Sequence, residues 1–185
     1  MLMFQTLLQI NTLYKIVLNT LLVSLLEEFY LVMFTYILMG EFDHWQDEDC
    51  RRLFHRWDIQ RILTPVLMGA ILSNILRYMG FDNTIVTLLS ILAIFAGIII
   101  TGDIFNNRNA LAWIGNAFIF LALGVISVMV AEFIYMPIIL YGLGKTMEEI
   151  NNNVFLNFAF SLPSTLLEYL FLIFLIIKKR TLLKA

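Results

Sequence analysis

Long apolar runs separated by short polar clusters dominate the chain. A run of about 20 apolar residues can cross the hydrocarbon core of a bilayer as a helix. Five such runs are present; the first four end beside a glycine and the fifth ends at a basic cluster. Their bounds are about 13–39, 62–79, 84–101, 110–143 and 154–177. This pattern predicts an all-α fold: a polytopic integral membrane helical bundle of about five transmembrane helices, in a single domain.

The fourth run is longer than one ordinary crossing. As a straight α-helix it would extend about 50 Å, at about 1.5 Å per residue, which is too short for two crossings and a turn. We therefore expect one helix, bent near Pro137 and projecting past the outer boundary of the membrane.

The distribution of basic residues orients the predicted helices, because cytoplasmic loops of membrane proteins carry an excess of Lys and Arg. With the N-terminus outside and the C-terminus inside, three of the 12 basic residues, Lys15, Arg77 and Lys145, fall on the outer side or in the outer part of the spans. The other nine fall on the cytoplasmic side: Arg51, Arg52, Arg56, Arg61, Arg108, Lys178, Lys179, Arg180 and Lys184. We therefore predict this orientation.

Composition narrows the class of protein further. The chain is 61% hydrophobic and 14% charged, whereas soluble domains are about 45–50% apolar and about 25% charged. A soluble enzyme and a disordered tail are thereby excluded. The net charge of −2 offers no basic field for nucleic acid. The N-terminal residues lack a basic region and a small-residue cleavage site, so we expect them to belong to the mature protein.

Ionisable residues inside the predicted spans are the strongest functional signal. Each costs about 2.5–3.5 kcal/mol to insert and therefore needs a partner or a wet cavity. Rise per residue places Glu27 and Glu168 at one level and both Arg77 and Glu132 in the outer third, where we hypothesise an Arg77–Glu132 pair. The candidate ligand-binding residues are Arg77, Glu132, Pro137, Glu27, Glu28 and Glu168.

Three interpretations of these carboxyl groups remain open: protonated groups that hold helices together, a ligand or ion pocket, and a proton relay. Ser161, Ser164 and Glu168 share one face of the last helix, and we expect that face to pack inward. Asn74 and Asn116 are expected to hydrogen-bond between helices.

The first cytoplasmic loop contains most of the reactive side chains. They are His44, Asp47, Glu48, Asp49, Cys50 and His55. No recognised metal-ligand spacing is present, so we predict no metal site. A pair in which His44 acts as base for Cys50 would suit a membrane peptidase. A solvated loop with arginines and tryptophans at the headgroups is the favoured interpretation. No nucleotide-binding or nucleophile-elbow motif occurs, so we predict no cofactor, no catalytic residue and no enzymatic activity.

The order of these features resembles the membrane-spanning sensor region of agr-like, GHKL-type histidine kinases of Gram-positive anaerobes. The segments that carry the resemblance are ILRYMGFD, AEFIYMPIILYGLGKTMEEI and NFAFSLPSTLLEYLFLIFLIIKKR. The resemblance implies a bundle in the bacterial plasma membrane that recognises an extracellular or membrane-borne signal, often a peptide, and passes a helix displacement inward.

In that family the last span continues into a phosphoacceptor histidine and an ATPase domain, whereas neither His44 nor His55 follows the last span here, so we expect no autophosphorylation by this chain alone. We therefore expect a non-enzymatic, sensor-like module that binds a small hydrophobic or peptide signal and acts through a signalling partner or a homo-oligomer. Two alternatives remain: the substrate-binding subunit of a small-molecule transporter, and the Cys/His membrane peptidase.

Overall fold

The computed structural model describes residues 14, 17–40, 56–102, 109–144 and 153–183. Within these ranges the secondary structure is helical, without strands, and five helices are long and apolar enough to span a membrane. They are α1 (Val17–Met39), α2 (Arg56–Tyr78), α3 (Asn83–Thr101), α4 (Ala110–Leu143) and α5 (Val154–Leu183). The all-helical fold and the five predicted runs are confirmed. Helix α2 begins earlier than its apolar run, and α5 continues past its basic cluster.

Helix α4 continues through Pro137, which confirms that the fourth run forms one helix. Glycines at the ends of α1, α2 and α4 take up left-handed backbone conformations: φ is 80° at Gly40 and Gly80 and 60° at Gly144. A side chain would make these conformations costly, and this explains the glycine at the end of each of these three helices.

Asp82 caps the start of α3. Its carboxylate accepts a hydrogen bond of 2.8 Å from the backbone N–H of Thr84, which satisfies one of the free donors of the first turn. This hydrogen bond favours the charged carboxylate and holds the pKa of Asp82 below its ordinary value.

The helices alternate in direction. Near the start of α1, Asn19 hydrogen-bonds Asn74 in the last part of α2, whereas Tyr36, near the end of α1, bonds the backbone of Arg61 at the start of α2. Asn157, at the start of α5, also bonds Asn19. We call the end of the bundle with these asparagines the asparagine side, and the opposite end the arginine side.

Helix α1 lies at the centre of the bundle. Tyr30, Val32 and Tyr36 on this helix are fully buried, and α1 contacts each of the other four helices. Helix α4 is the opposite case, with large apolar side chains such as Phe133 and Ile138 exposed. Exposed apolar side chains on a membrane helix are suited to contact with acyl chains.

Helices α2 and α3 pack unusually closely. A Cβ atom added at Gly97 would lie 2.6 Å from the Pro65 Cα, and one added at Gly69 would lie 2.6 Å from the Ile94 Cγ1. Small residues that allow backbones to approach in this way are a common means of association between membrane helices.

Candidate functional site

A chain of hydrogen-bonded asparagines crosses the bundle on the asparagine side. The Asn157 Nδ2 donates to the Asn19 Oδ1 at 3.0 Å, and the Asn19 Nδ2 donates to the Asn74 Oδ1 at 2.9 Å. The Asn74 Nδ2 also donates to the Ser24 Oγ at 2.7 Å and to the Ala70 carbonyl at 2.8 Å. We call Asn19, Asn74 and Asn157 the asparagine rung. It joins α1, α2 and α5, as predicted for Asn74.

Helix α1 contains a π-helical turn over Thr20–Ser24, immediately after Asn19. The backbone N–H of Leu25 donates to the Thr20 carbonyl, five residues earlier. Such turns are rare in α-helices and are frequent at functional sites. The turn lies between Asn19 and the two glutamates of α1. It therefore sets the rotation of Asn19 relative to these glutamates about the helix axis.

Three carboxyl groups from three helices converge beyond this turn. Glu27 of α1 interacts electrostatically with Glu132 of α4, and Glu168 of α5 interacts with both. We call Glu27, Glu132 and Glu168 the acidic triad. The predicted shared level of Glu27 and Glu168 agrees with this interaction.

Arg77 is the cation nearest to this region among the charges that act on it. Its charge acts on Glu27, Glu28 and Glu132, and its side chain is exposed near the end of α2. The Arg77–Glu132 pair stays a prediction: the charge of Arg77 lies within electrostatic range of Glu132 and of both glutamates of α1.

Glu168 is the most deeply buried member of the triad, with 3% of its surface exposed. Among the described residues, its Oε2 atom has no hydrogen-bond partner. The neighbouring hydroxyl groups are engaged elsewhere: the Tyr30 hydroxyl lies 2.7 Å from the Ser127 Oγ, and the Tyr169 hydroxyl donates to the Leu26 carbonyl at 3.2 Å. A buried oxygen without a partner is costly, and in native proteins such atoms call for an explanation.

Glu28 lies on a different side of α1, towards α2 and α3. It is 7% exposed, and its Oε2 atom also lacks a partner. Its carboxyl carbon is 3.1 Å from the position that a Cβ of Gly69 would occupy. The charges that act on Glu28 are those of Glu27 and Arg77. The structure therefore separates Glu28 from Glu168, although the sequence predicted both for one site.

The remaining predicted residues divide into two sets. Ser161 and Ser164 are buried with Glu168 on one face of α5, which confirms that this face packs inward. Pro137 is exposed on α4 and does not belong to the buried group. Asn116 is also exposed, so the prediction that it joins helices within the bundle is wrong. Neighbouring Ala117 occupies the buried position instead.

Sequence analysis missed the tyrosine hydroxyl groups and two members of the asparagine rung, Asn19 and Asn157. Tyr135 is buried beside Phe160, with their ring centroids 5.8 Å apart, and its charge environment includes all three members of the acidic triad. Tyr135 was indistinguishable from an ordinary interface aromatic in the sequence. Asn19 sits near the start of its apolar run, where a polar residue is unremarkable.

The loop between α1 and α2, with His44 and Cys50, lies outside the described residues. The peptidase alternative therefore stays a prediction. Within the described ranges, no group of three or more His, Cys, Asp or Glu side chains could hold a metal ion.

No protein family, curated protein or solved structure matches this chain. The resemblance to the sensor region of histidine kinases therefore remains a prediction, and function rests on the geometry of the bundle alone.

Proposed function

We propose that this chain is a non-enzymatic, sensor-like module of the cell membrane that binds a small hydrophobic or peptide signal and acts through a partner protein. One observation carries the proposal: carboxyl groups from α1, α4 and α5 lie within electrostatic range of one another inside an apolar bundle, and among the described residues the Glu168 Oε2 atom has no hydrogen-bond partner. Intramembrane ionisable residues are functional sites by default, because they are expensive to keep.

The asparagine rung supports this proposal, because it links helices through polar groups other than the triad carboxyl groups. Its amide groups already hold α1, α2 and α5 together. The hydrogen bond between Tyr30 and Ser127 joins α1 to α4, so the three helices of the triad have polar links that do not involve its carboxyl groups. A ligand that satisfies the Glu168 carboxyl group would offset part of the cost of burying it.

Helix α5 provides the route for the signal. From Glu168 to Lys178 it extends about 15 Å towards the arginine side, and the helix continues to Leu183. A displacement of α5 caused by a ligand at Glu168 would therefore reach the opposite side of the membrane. We propose that the asparagine side faces outward and the arginine side faces the cytoplasm, since most Lys and Arg residues flank the latter.

The orientation can be tested with the single native cysteine. In intact cells, a membrane-impermeant maleimide should leave Cys50 unlabelled and should label a Phe81→Cys variant in a Cys50→Ser background. After permeabilisation, Cys50 should become labelled. Labelling of Cys50 in intact cells would reverse the proposed orientation.

The partner can be identified by purification of the tagged chain from native membranes in mild detergent, with mass spectrometry of co-eluting proteins. A stoichiometric histidine kinase or response regulator is the expected result. A pair of ATPases with a transmembrane coupling subunit would contradict the sensor proposal and favour the transporter alternative.

Glu132→Ala is then the decisive variant, and Asn116→Ala on the same helix is its matched control, because Asn116 is exposed. Glu132→Ala should abolish the signalling response at unchanged amounts of folded protein and bound partner, whereas the control should respond normally. An unimpaired response from Glu132→Ala would contradict the proposal.

A further inference from the structure

The three carboxyl groups of the acidic triad differ in the charges that act on them. The charge of Arg77 acts on Glu27 and Glu132, but the charges that act on Glu168 are those of the other two triad carboxyl groups. Glu168 is therefore buried in an environment of its own sign, and one of its oxygens has no hydrogen-bond donor. A positively charged donor is the group that would complete this site.

The arrangement of the triad narrows the kind of cation. A divalent metal ion needs several oxygen ligands within about 2.0–2.6 Å, and no metal-holding group of side chains exists among the described residues. Among the described residues the triad therefore does not supply the several oxygen ligands that a divalent ion needs, whereas an ammonium group can bind a single carboxylate through a directed hydrogen bond. A primary ammonium group has three N–H donors.

The side chains around Glu168 indicate which kind of chemical group would be attached to the cation. Tyr30 and Tyr169 lie within electrostatic range of Glu168. The Tyr169 ring stacks on Phe29 with centroids 6.3 Å apart. Aromatic faces attract ammonium groups and also pack against alkyl chains.

We infer that the acidic triad binds the ammonium head of an apolar primary amine, with the Glu168 carboxylate as its principal acceptor and the aromatic side chains of α1 and α5 beside its hydrocarbon part. This inference rests on the proposed function and names the chemical class of its ligand. The free amino group of an apolar peptide belongs to the same class.

The test uses the purified full chain in nanodiscs of phosphatidylcholine, which carry no net lipid charge. The probes are n-hexylammonium, hexyltrimethylammonium and n-hexanol, each titrated by calorimetry against the protein and against empty nanodiscs. We expect saturable binding of n-hexylammonium at one site per chain. The trimethyl analogue keeps the charge but has no N–H donor, and the alcohol has no charge, so both should bind at least about tenfold more weakly.

Two matched variants locate the site. Glu168→Gln removes the charge of the proposed acceptor and should weaken n-hexylammonium binding at least about tenfold, since loss of a charge-assisted hydrogen bond has this effect. Glu28→Gln removes an equally buried carboxyl group with its own unpartnered oxygen, but on the side of α1 that faces α2 and α3. It should leave the affinity within about threefold.

Several outcomes would overturn the inference. Equal binding of n-hexanol would indicate an apolar slot, and undiminished binding by Glu168→Gln would place the amine elsewhere. Absence of n-hexylammonium binding to the unaltered protein would also overturn it. If Glu168→Gln fails to fold, Glu132→Gln must show the same loss of affinity. None of these results decides the sensor proposal, which depends on the partner and on the Glu132→Ala response.

Discussion

Glu28 and Glu168 are buried to a similar degree, and each has an Oε2 atom without a partner, yet their environments differ. Glu28 packs tightly over Gly69, with the charge of Arg77 in range. Glu168 lies within electrostatic range of two further carboxyl groups and of Tyr169. Burial alone therefore does not identify a binding site. The neighbouring charges distinguish the two positions.

The largest effect is expected where packing around Glu28 is tightest. Gly69→Ala places a Cβ atom 2.6 Å from the Ile94 Cγ1 and 3.1 Å from the Glu28 carboxyl carbon, so unfolding free energy should fall by about 1–3 kcal/mol. Equilibrium unfolding in mixed micelles measures it. Gly115→Ala is the control, because nothing lies within 4 Å of its Cβ position. Equal stability of the two variants would show that Glu28 is not tightly packed.

Asn74→Leu tests whether the polar contacts on the Glu28 side of α1 are structural. It removes the hydrogen bonds to Asn19 and Ser24. Interhelical hydrogen bonds in membranes average about 0.6 kcal/mol each, and Asn19 loses a partner, so we expect a loss of about 1–2 kcal/mol. The same unfolding assay measures this change, with Asn116→Leu as the exposed control. A stability equal to that of the control would show that the hydrogen bonds of the asparagine rung do not stabilise the fold.

Glu168→Met should raise the unfolding free energy, in contrast to the two preceding variants. It replaces a carboxyl group that has an unpartnered oxygen by an apolar side chain of similar length, so the unfolding free energy should rise by about 1 kcal/mol, at the low end of the cost of an unsatisfied buried group. Thermal unfolding in the same nanodiscs checks this prediction. A loss of stability would mean that the Glu168 carboxyl group is structural, as in the interpretation of the carboxyl groups as links between helices.

The smallest effect is expected at the start of α3, the helix whose Ile94 side chain lies next to Gly69 beside Glu28. The pKa of Asp82 is lowered in the folded protein by the hydrogen bond from Thr84. Its stabilising effect is therefore present above the ordinary carboxyl pKa and is lost as pH falls through the lowered value. Asp82→Asn, which retains a capping oxygen, should flatten this small dependence in unfolding curves between pH 2 and pH 5. An unchanged slope would show that Asp82 does not contribute to it.

The number of helices and most of their bounds followed from the apolar runs, because a span must be predominantly apolar over about 20 residues, although α2 and α5 extend beyond their runs. Counting residues along the helices also brought Glu27 and Glu168 to one level. Rotation about the helix axis was not predictable in the same way. Whether Glu28 faces Gly69 or Glu168 depends on the neighbours of α1 and on its backbone geometry, and Asn116 shows that a polar residue need not lie on the inner face.

The π-helical turn of Thr20–Ser24 makes the length of α1 as important as its composition. One residue corresponds to about 100° of rotation in an α-helix. Deletion of a single residue from this turn would let it relax to α-helical geometry, whereas deletion beyond it would turn either Asn19 or the glutamates away from their present neighbours. We therefore expect single-residue deletions along α1 to be tolerated at one short stretch only. That stretch adjusts the rotation of α1 between Asn19 of the asparagine rung and Glu27 of the acidic triad.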